Sequence, residues 1–517
     1  MSSWKYALTF FLLTMPVQAE PLISNLACEP PQEVMTHSRY LRSLTLDLAG
    51  RLPMDAEYER VNVEGGVSDA FINELLNNGD FAIQATRFHG QFLWNNLSTI
   101  NLTAGSFRLG RAAGNLHWRR QAARAYRGAD VPCLDEPARF DGSGRPVQNE
   151  DGQEGFVEVN PYWLPEGEMI KVCAFDAQET SVSSTGTVCN RRGANNDAEC
   201  GCGPNLTWCA VNESNRAVTA SMTESLSRFV QSVFERHEPY SALFDSRRGF
   251  MNGPLSHFYR YMTDITAGVT FEPLPVNLDL TPEIHFLDAD GWTEYLLPEA
   301  HAGLLTHPAF LLRFQTNRAR ANRFYDAFLC DGFQAPEGGL PVADTGDALN
   351  PDLQQRTGCQ YCHARLEPAA AHWGRWSEQG VGYLDAENFP QERSDCVRCA
   401  QSNQGCNAEC RNFYHISSLS PEDFPYLGQL HAYRFLDENK HENVTQGPKR
   451  LAYHGIESNR LPHCIAGRTA EWLLGRSISN DEEDWLAQIT REFVWSDLNF
   501  RALVKSIVSS QTYRSVQ

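Results

Sequence analysis

Apolar residues recur at helical spacing along most of this chain. Between Thr36 and Gly50, the residues Tyr40, Leu41, Leu44 and Leu48 fall on one helix face, and Gly50 with Pro53 ends it. Ser68-Asp69 opens a second helix with the stripe Phe71, Ile72, Leu75 and Leu76, and Asn77-Asn78-Gly79 closes it. A third is predicted from about Phe81 to Leu97, carrying Phe88, Phe92, Leu93 and Leu97, with His89 expected exposed or at the core edge. Ser221-Met222-Thr223-Glu224 reads as a capping box ahead of Leu226, Phe229, Val230, Val233 and Phe234. A further helix covers Leu255 to Met262, and Val269 to Leu280 reads as extended. Pro298 opens another helical region, followed by Arg318 to Leu329. At the C-terminal side, Cys464 to Leu474 is closed by Gly475, and Trp485, Ile489 and Phe493 form the next stripe. Ser496-Asp497 is expected to cap a last helix with Leu498, Leu503 and Ile507.

Two stretches break this rhythm. From Cys133 to Asn215, Gly, Asn, Asp and Ser dominate, and Cys173, Cys189, Cys200, Cys202 and Cys209 fall within it. Cys200-Gly-Cys202 is too tight to pair with itself, and no C-x-x-C or nearby histidine supports zinc, so a loop-rich, disulfide-stapled insertion is predicted. The second stretch holds Cys396-x-x-Cys399 and Cys406-x-x-x-Cys410, a spacing open to zinc and favouring two disulfides after export. Asp288-Ala-Asp290-Gly291 resembles the start of a calcium loop but lacks the later carboxylates, and reads as a turn.

Charge and compartment come next. A net charge of −20 argues against nucleic acid and anionic membrane surfaces, and is compatible with a basic redox partner. The opening MSSWKYALTFFLLTMPVQAEP has Lys5, a short apolar run from Ala7 to Met15 and a small-residue cleavage site at Val17-Gln18-Ala19. It reads as a secretory signal over residues 1–19, too short for a membrane anchor; Cys28 lies too far beyond the apolar run to favour a lipoprotein. No later stretch approaches the roughly 18 apolar residues of a spanning helix. The expected location is periplasmic or extracellular, where cysteines pair.

Gly358-Cys359-Gln360-Tyr361-Cys362-His363 contains C-x-x-C-H, the c-type haem attachment signature. Two thiols three positions apart add to the two vinyl groups of one porphyrin. The histidine directly after the second thiol then supplies a proximal iron ligand. One covalent haem c on Cys359 and Cys362, with His363 on the iron, is the cofactor expectation. It leaves thirteen of the 15 cysteines, an odd number, so at least one stays unpaired within the chain. Downstream, Arg365, Trp373, Arg375 and Trp376 read either as porphyrin-facing residues or as ordinary packing and surface. Cys396-Val-Arg-Cys399-Ala400 lacks the histidine of a second haem site.

Separate stretches then point to one family. YLRSLTLDLAGRLPMDAE, SDAFINELLNNGDF and FHGQFLWNNL resemble the opening domain of large exported bacterial proteins associated with planctomycete-type cytochrome c. AGLLTHPAFL, AFLCDGF and CQYCHARLEP resemble their haem-bearing segment. GPKRLAYHGIESNRLPHCIAGRTAEWLLGR and DLNFRALVKSIVSSQTYR resemble their C-terminal domain. Together these stretches cover about half of the chain after the signal. The two cysteine-rich insertions depart from the family, and Glu367 stands where it more often has an aspartate. The resemblance implies haem c, export and an α-rich fold, with no substrate. It also implies a Cys330–Cys464 disulfide, both cysteines lying in family-like segments that flank the haem region.

The expected fold is mainly α and multi-domain, with cysteine-rich, loop-rich insertions and a cytochrome c-like haem segment. After the signal, the division is 20–130 helical, 131–216 cysteine-rich insertion, 217–297 helical, 298–380 haem-bearing, 381–428 cysteine-rich insertion and 429–517 helical. The distal iron position stays open. The last methionine is Met262, so no methionine downstream of the motif can serve. His307, in the family-like GLLTHP element, is the first candidate, followed by His301, His431 and His454. Three functions remain: an exported monohaem electron-transfer protein, a haem enzyme of peroxidase or oxidase type with an open sixth site, and a non-haem disulfide-stapled binding or scaffold protein. No serine triad, phosphate loop or paired-carboxylate site is legible.

Overall fold

The computed structural model describes residues 33–94, 96–98, 100–111, 117–120, 133–335 and 337–516. The expected signal segment and Cys28 lie outside the described residues. Helices dominate, with few and short strands.

The first helix, His37–Ala49, is capped by Thr36, whose side chain accepts from the Arg39 N–H, and is closed by Gly50 in the left-handed region. It buries Tyr40, Leu41, Leu44 and Leu48, each leucine contributing about 2 kcal/mol. Ser68 caps Asp69–Asn77 and Asn78 caps the next helix, Gly79–Leu93. That helix stops at Trp94, not Leu97; Leu97 is buried without being helical. His89 is fully buried, not exposed: its Nδ1 lies 2.7 Å from the Ala85 carbonyl and its Nε2 2.9 Å from the Tyr240 hydroxyl. Asp55–Glu64 is a helix the pattern did not announce, because it buries only Val61.

The long central helix is Asn212–Glu235, beginning well before the expected capping box. Ser221 instead accepts from Asn252 Nδ2 (2.9 Å), and Thr223 donates back to the Thr219 carbonyl (3.2 Å). The segment 269–280 is not a strand. It makes an isolated bridge, Thr270 to Gly380, and ends in the 3-10 turn Leu278–Leu280. The last long helix, Phe500–Ser509, is capped by Asn499 and not by Ser496-Asp497. Asp288 accepts from the Gly291 N–H at 2.8 Å, closing the expected turn.

The first insertion holds three disulfides, Cys133–Cys173, Cys189–Cys200 and Cys202–Cys209. It also contributes to a small four-stranded sheet of Leu109–Arg111, Trp118–Arg120, Phe156–Val159 and Ile170–Cys173. The second insertion holds Cys396–Cys410 and Cys399–Cys406. Cys330 and Cys464 pair, with Cα atoms 5.4 Å apart across 134 residues. One apolar core runs from Tyr40 to Tyr513 through the helical segments. A second, smaller core gathers Phe389, Phe413, Tyr414, Leu430 and Tyr433 around the disulfides of the second insertion. Among the described residues, no helix is long and apolar enough to cross a membrane.

Candidate functional site

The C-x-x-C-H stretch begins the helix Gln360–Ala371. Gly358 sets that start. It sits at φ +79°, and a Cβ there would meet the Pro341 carbonyl oxygen at 2.4 Å, so only glycine fits. The helix packs against Asn317–Leu329 on one side and Glu438–Glu457 on another. Pro351 to Arg356 is tied in from the side of the loop: Arg356 Nε donates to the Asn350 carbonyl at 2.8 Å, and Gln354 Nε2 to the Phe435 carbonyl at 3.0 Å.

Cys359 and Cys362 are partly exposed and are the free cysteines among the described residues. The other twelve form six disulfides. The thirteen-cysteine arithmetic therefore comes down to Cys28, outside the described residues. Among the described residues, neither insertion presents a zinc site: the one group of metal-capable side chains found there, Asp395, Cys396 and Cys410, contains a cystine, whose sulfurs are spent on each other.

One residue on, His363 Nδ1 lies 2.6 Å from Glu367 Oε1. The same oxygen accepts from Arg318 Nε at 2.6 Å. A carboxylate only accepts, so Nδ1 carries the imidazole proton and Nε2 keeps its lone pair. Arg318 in turn fixes the carboxylate. The three residues form a chain that orients one histidine and leaves one nitrogen free to bind a metal.

Helical spacing puts His363, Glu367 and Ala370 on one face. Glu367, Ala370, Ala371 and, just past the helix, Gly374 line a cavity of about 440 Å³. Its volume is in the range of small-molecule and cofactor sites. Gly374 has no room for a Cβ, which would meet Ala432 Cβ at 2.8 Å. The opposite wall comes from the second insertion and the segment after it, and includes Phe413, His415, Leu430 and His431.

The other histidines divide sharply. His307 caps the helix Pro308–Arg313; its Nδ1 accepts from the Ala309 N–H (3.2 Å) and its Nε2 lies 3.3 Å from Ser225 Oγ. With both ring nitrogens held by the protein and the ring buried, this arrangement leaves His307 no nitrogen for iron. His301 is likewise buried and doubly engaged, to Thr306 Oγ1 at 3.1 Å and the Pro275 carbonyl at 3.0 Å. His454 is exposed beside His372, ring centroids 6.2 Å apart. His431 and His415 both line the cavity, ring centroids 4.6 Å apart. His415 Nε2 is buried with no hydrogen-bond partner among the described residues. Burial pushes the His415 pKa down to about 3, helped by His431 and Arg434, so its ring is neutral at pH 7.

The aromatic and cationic residues after the motif are largely structural. Trp373 and Trp376 are buried, and the Trp373 indole donates to the Leu305 carbonyl at 2.9 Å. Arg375 is buried and donates to the carbonyls of Leu384 and Phe389 and to the Tyr433 hydroxyl. Arg365 pairs with Asp331. Arg318 and His415 escaped the sequence reading. The His363–Glu367 link had a signal, an acidic residue four positions after a histidine on a helix. His415 had none, because its position depends on how the insertion folds.

Comparison of the chain with protein-family models, with curated proteins and with solved structures gives no match.

Proposed function

We propose that this chain is an exported c-type haem protein that carries one covalent haem on Cys359 and Cys362 and transfers electrons. The observation that carries the reading is the pairing pattern. Among the described residues, twelve cysteines are consumed in six disulfides, and the two left free are those of the C-x-x-C-H motif. In a disulfide-forming compartment, two thiols three positions apart on a first helical turn are kept for other chemistry.

The residues present fit the group. Cys359 and Cys362 would hold it by thioether bonds, and His363 would bind through Nε2. Glu367 and Arg318 keep His363 in the tautomer that leaves this nitrogen free. Glu367, Ala370 and Ala371 of the same helix, and Gly374 just past it, line a cavity. When bound, the group supplies one-electron chemistry. The resemblance to the exported cytochrome c-associated family agrees with this, and six disulfides without a membrane-spanning helix among the described residues are consistent with export. Haem staining on a denaturing gel, after production with the haem c maturation machinery, tests the attachment.

A further inference from the structure

A second cavity, of about 540 Å³, shares no lining residue with the first. It opens between the first cysteine-rich insertion and the helix Gly253–Tyr261, and its volume is in the range of small-molecule sites. Aromatic rings wall it: Tyr162 and Trp208 from the insertion, Tyr261 at the end of the helix, and Phe286 from the segment after Pro282. Tyr162 stacks on His257 with ring centroids 3.8 Å apart and meets Phe286 edge-on at 4.9 Å. These walls are fixed by the protein. The Cys202–Cys209 disulfide closes the loop that carries Trp208, and Trp208 lies so close to Gly203 that a Cβ there would meet its ring at 2.6 Å. Asn205 and Leu206 of that loop stand in succession in the left-handed region, at φ 49° and 60°, a strain of the kind that binding sites hold. His257 Nε2 donates to the Thr207 carbonyl at 3.2 Å. Ser256 Oγ donates to the Pro282 carbonyl (3.0 Å) and accepts from the Ile284 N–H (3.1 Å), which pins the segment bearing Phe286.

Beside the rings stand polar groups that the protein leaves unused. Arg260 Nη2 donates to the Thr281 carbonyl at 2.8 Å, while its Nε is buried with no partner among the described residues. The side chains of Asn205, Trp208, Tyr261 and Glu283 line the cavity and make no hydrogen bond or ion pair among the described residues. Donors and acceptors therefore stand together, and Arg260 and Glu283 offset each other in charge. An anion would gain Arg260 and meet Glu283; a cation would do the reverse. A ligand that serves both needs groups that donate and accept at once, which hydroxyls do. To lie on the rings it also needs a carbon face, whose C–H groups the negative ring faces attract. We propose that this cavity binds a neutral saccharide, with a sugar ring against the aromatic walls and its hydroxyls on Arg260, Glu283 and the Trp208 indole N–H. The site is independent of the haem reading, and it gives the first insertion a function as one wall of a binding site.

The test is isothermal titration calorimetry of the purified full-length protein with the neutral oligosaccharides cellohexaose, xylohexaose, mannohexaose, maltohexaose and chitohexaose. At least one is expected to bind. Trp208→Phe keeps a ring on Gly203 and removes the indole N–H; Glu283→Ala changes an exposed side chain. Each is expected to weaken binding roughly tenfold, the effect of one lost hydrogen bond, with an unchanged circular dichroism spectrum. Trp495→Ala, at an exposed tryptophan outside the cavity, is expected to bind as wild type does. Failure of every one of these sugars to bind, or binding that both cavity variants leave intact, would overturn the proposal. Binding of benzoate in their place, lost in Arg260→Met, would also overturn it by marking an anion site.

Discussion

His363 Nδ1 and Glu367 Oε1 lie 2.6 Å apart, one helical turn from each other, with Arg318 Nε on the same oxygen. An anionic acceptor on one ring nitrogen raises the basicity of the other and stabilises the more oxidised state of a bound metal. Glu367→Ala is expected to raise the reduction potential of the haem protein, by on the order of 60 mV, a tenfold one-electron equivalent. A redox titration checks it. An unchanged or lowered potential would show that the carboxylate does not act on the ligand.

Under the haem proposal, Cys362→Ala removes one of the two attachment thiols. Stable covalent haem is expected to be lost from this variant, read as absent haem staining on a denaturing gel. Cys189→Ser, which breaks the Cys189–Cys200 bridge of the first insertion, is the control expected to stain.

The Cys330–Cys464 bridge closes a span of 134 residues between the helix before the motif and the C-terminal helices. In the chain-entropy account such a loop contributes about 5 kcal/mol. The double change Cys330→Ser with Cys464→Ser is expected to lower the urea midpoint by the equivalent of about 3–5 kcal/mol. An unshifted midpoint would contradict a structural role.

Arg320 is fully buried and has no carboxylate partner among its hydrogen bonds. It donates to the carbonyls of Phe314 (2.9 Å), Ser377 (2.8 Å) and Gly380 (3.0 Å), and to Asn317 Oδ1 (2.8 Å). These bonds clamp the turn after the motif helix to the helix beneath it. Arg320→Met strands several buried acceptors and is expected to cost about 3 kcal/mol or more in chemical unfolding.

Five buried histidines make stability depend on pH. Burial lowers the pKa of His89, His301 and His372 to about 4, and of His257 and His307 to about 3. Their unfolded value is about 6.5. Below it the unfolded chain binds protons that the native state refuses, so stability is present above pH 6.5 and is lost as pH falls towards 4. Asp47, raised to about 6 by burial, acts in the opposite direction between about pH 4 and 6, but is outnumbered. The melting temperature is expected to fall steadily from pH 7 to pH 4. A flat profile would mean that these rings are not buried as neutral groups.

Much of this fold is legible in the sequence where burial is periodic. Tyr40, Leu41, Leu44 and Leu48 mark their helix, and Thr36 and Gly50 mark its ends. Asp55–Glu64 escapes because one buried valine makes no stripe. The false capping box at Ser221 shows the limit of local signals, since its hydroxyl accepts from Asn252 rather than from its own helix. The site divides in the same way. Cys359, Cys362 and His363 are adjacent in the chain, and Glu367 is one turn on. His307 attracted attention by its sequence neighbourhood, but tertiary contacts from Ser225 and the Ala309 backbone occupy its ring. His415 reaches the cavity only through the fold of an insertion whose disulfide partners no spacing rule assigns.

The function proposed for this protein depends on covalent haem at Cys359 and Cys362. A pyridine haemochrome spectrum of the purified protein, with haem counted per chain, reads this out. One haem per chain is expected, with the spectrum of two thioether links, resistant to acidic solvent extraction, and with no free thiol at Cys359 or Cys362. Protein made with the maturation machinery that carries no haem, or haem that solvent extracts, would contradict it.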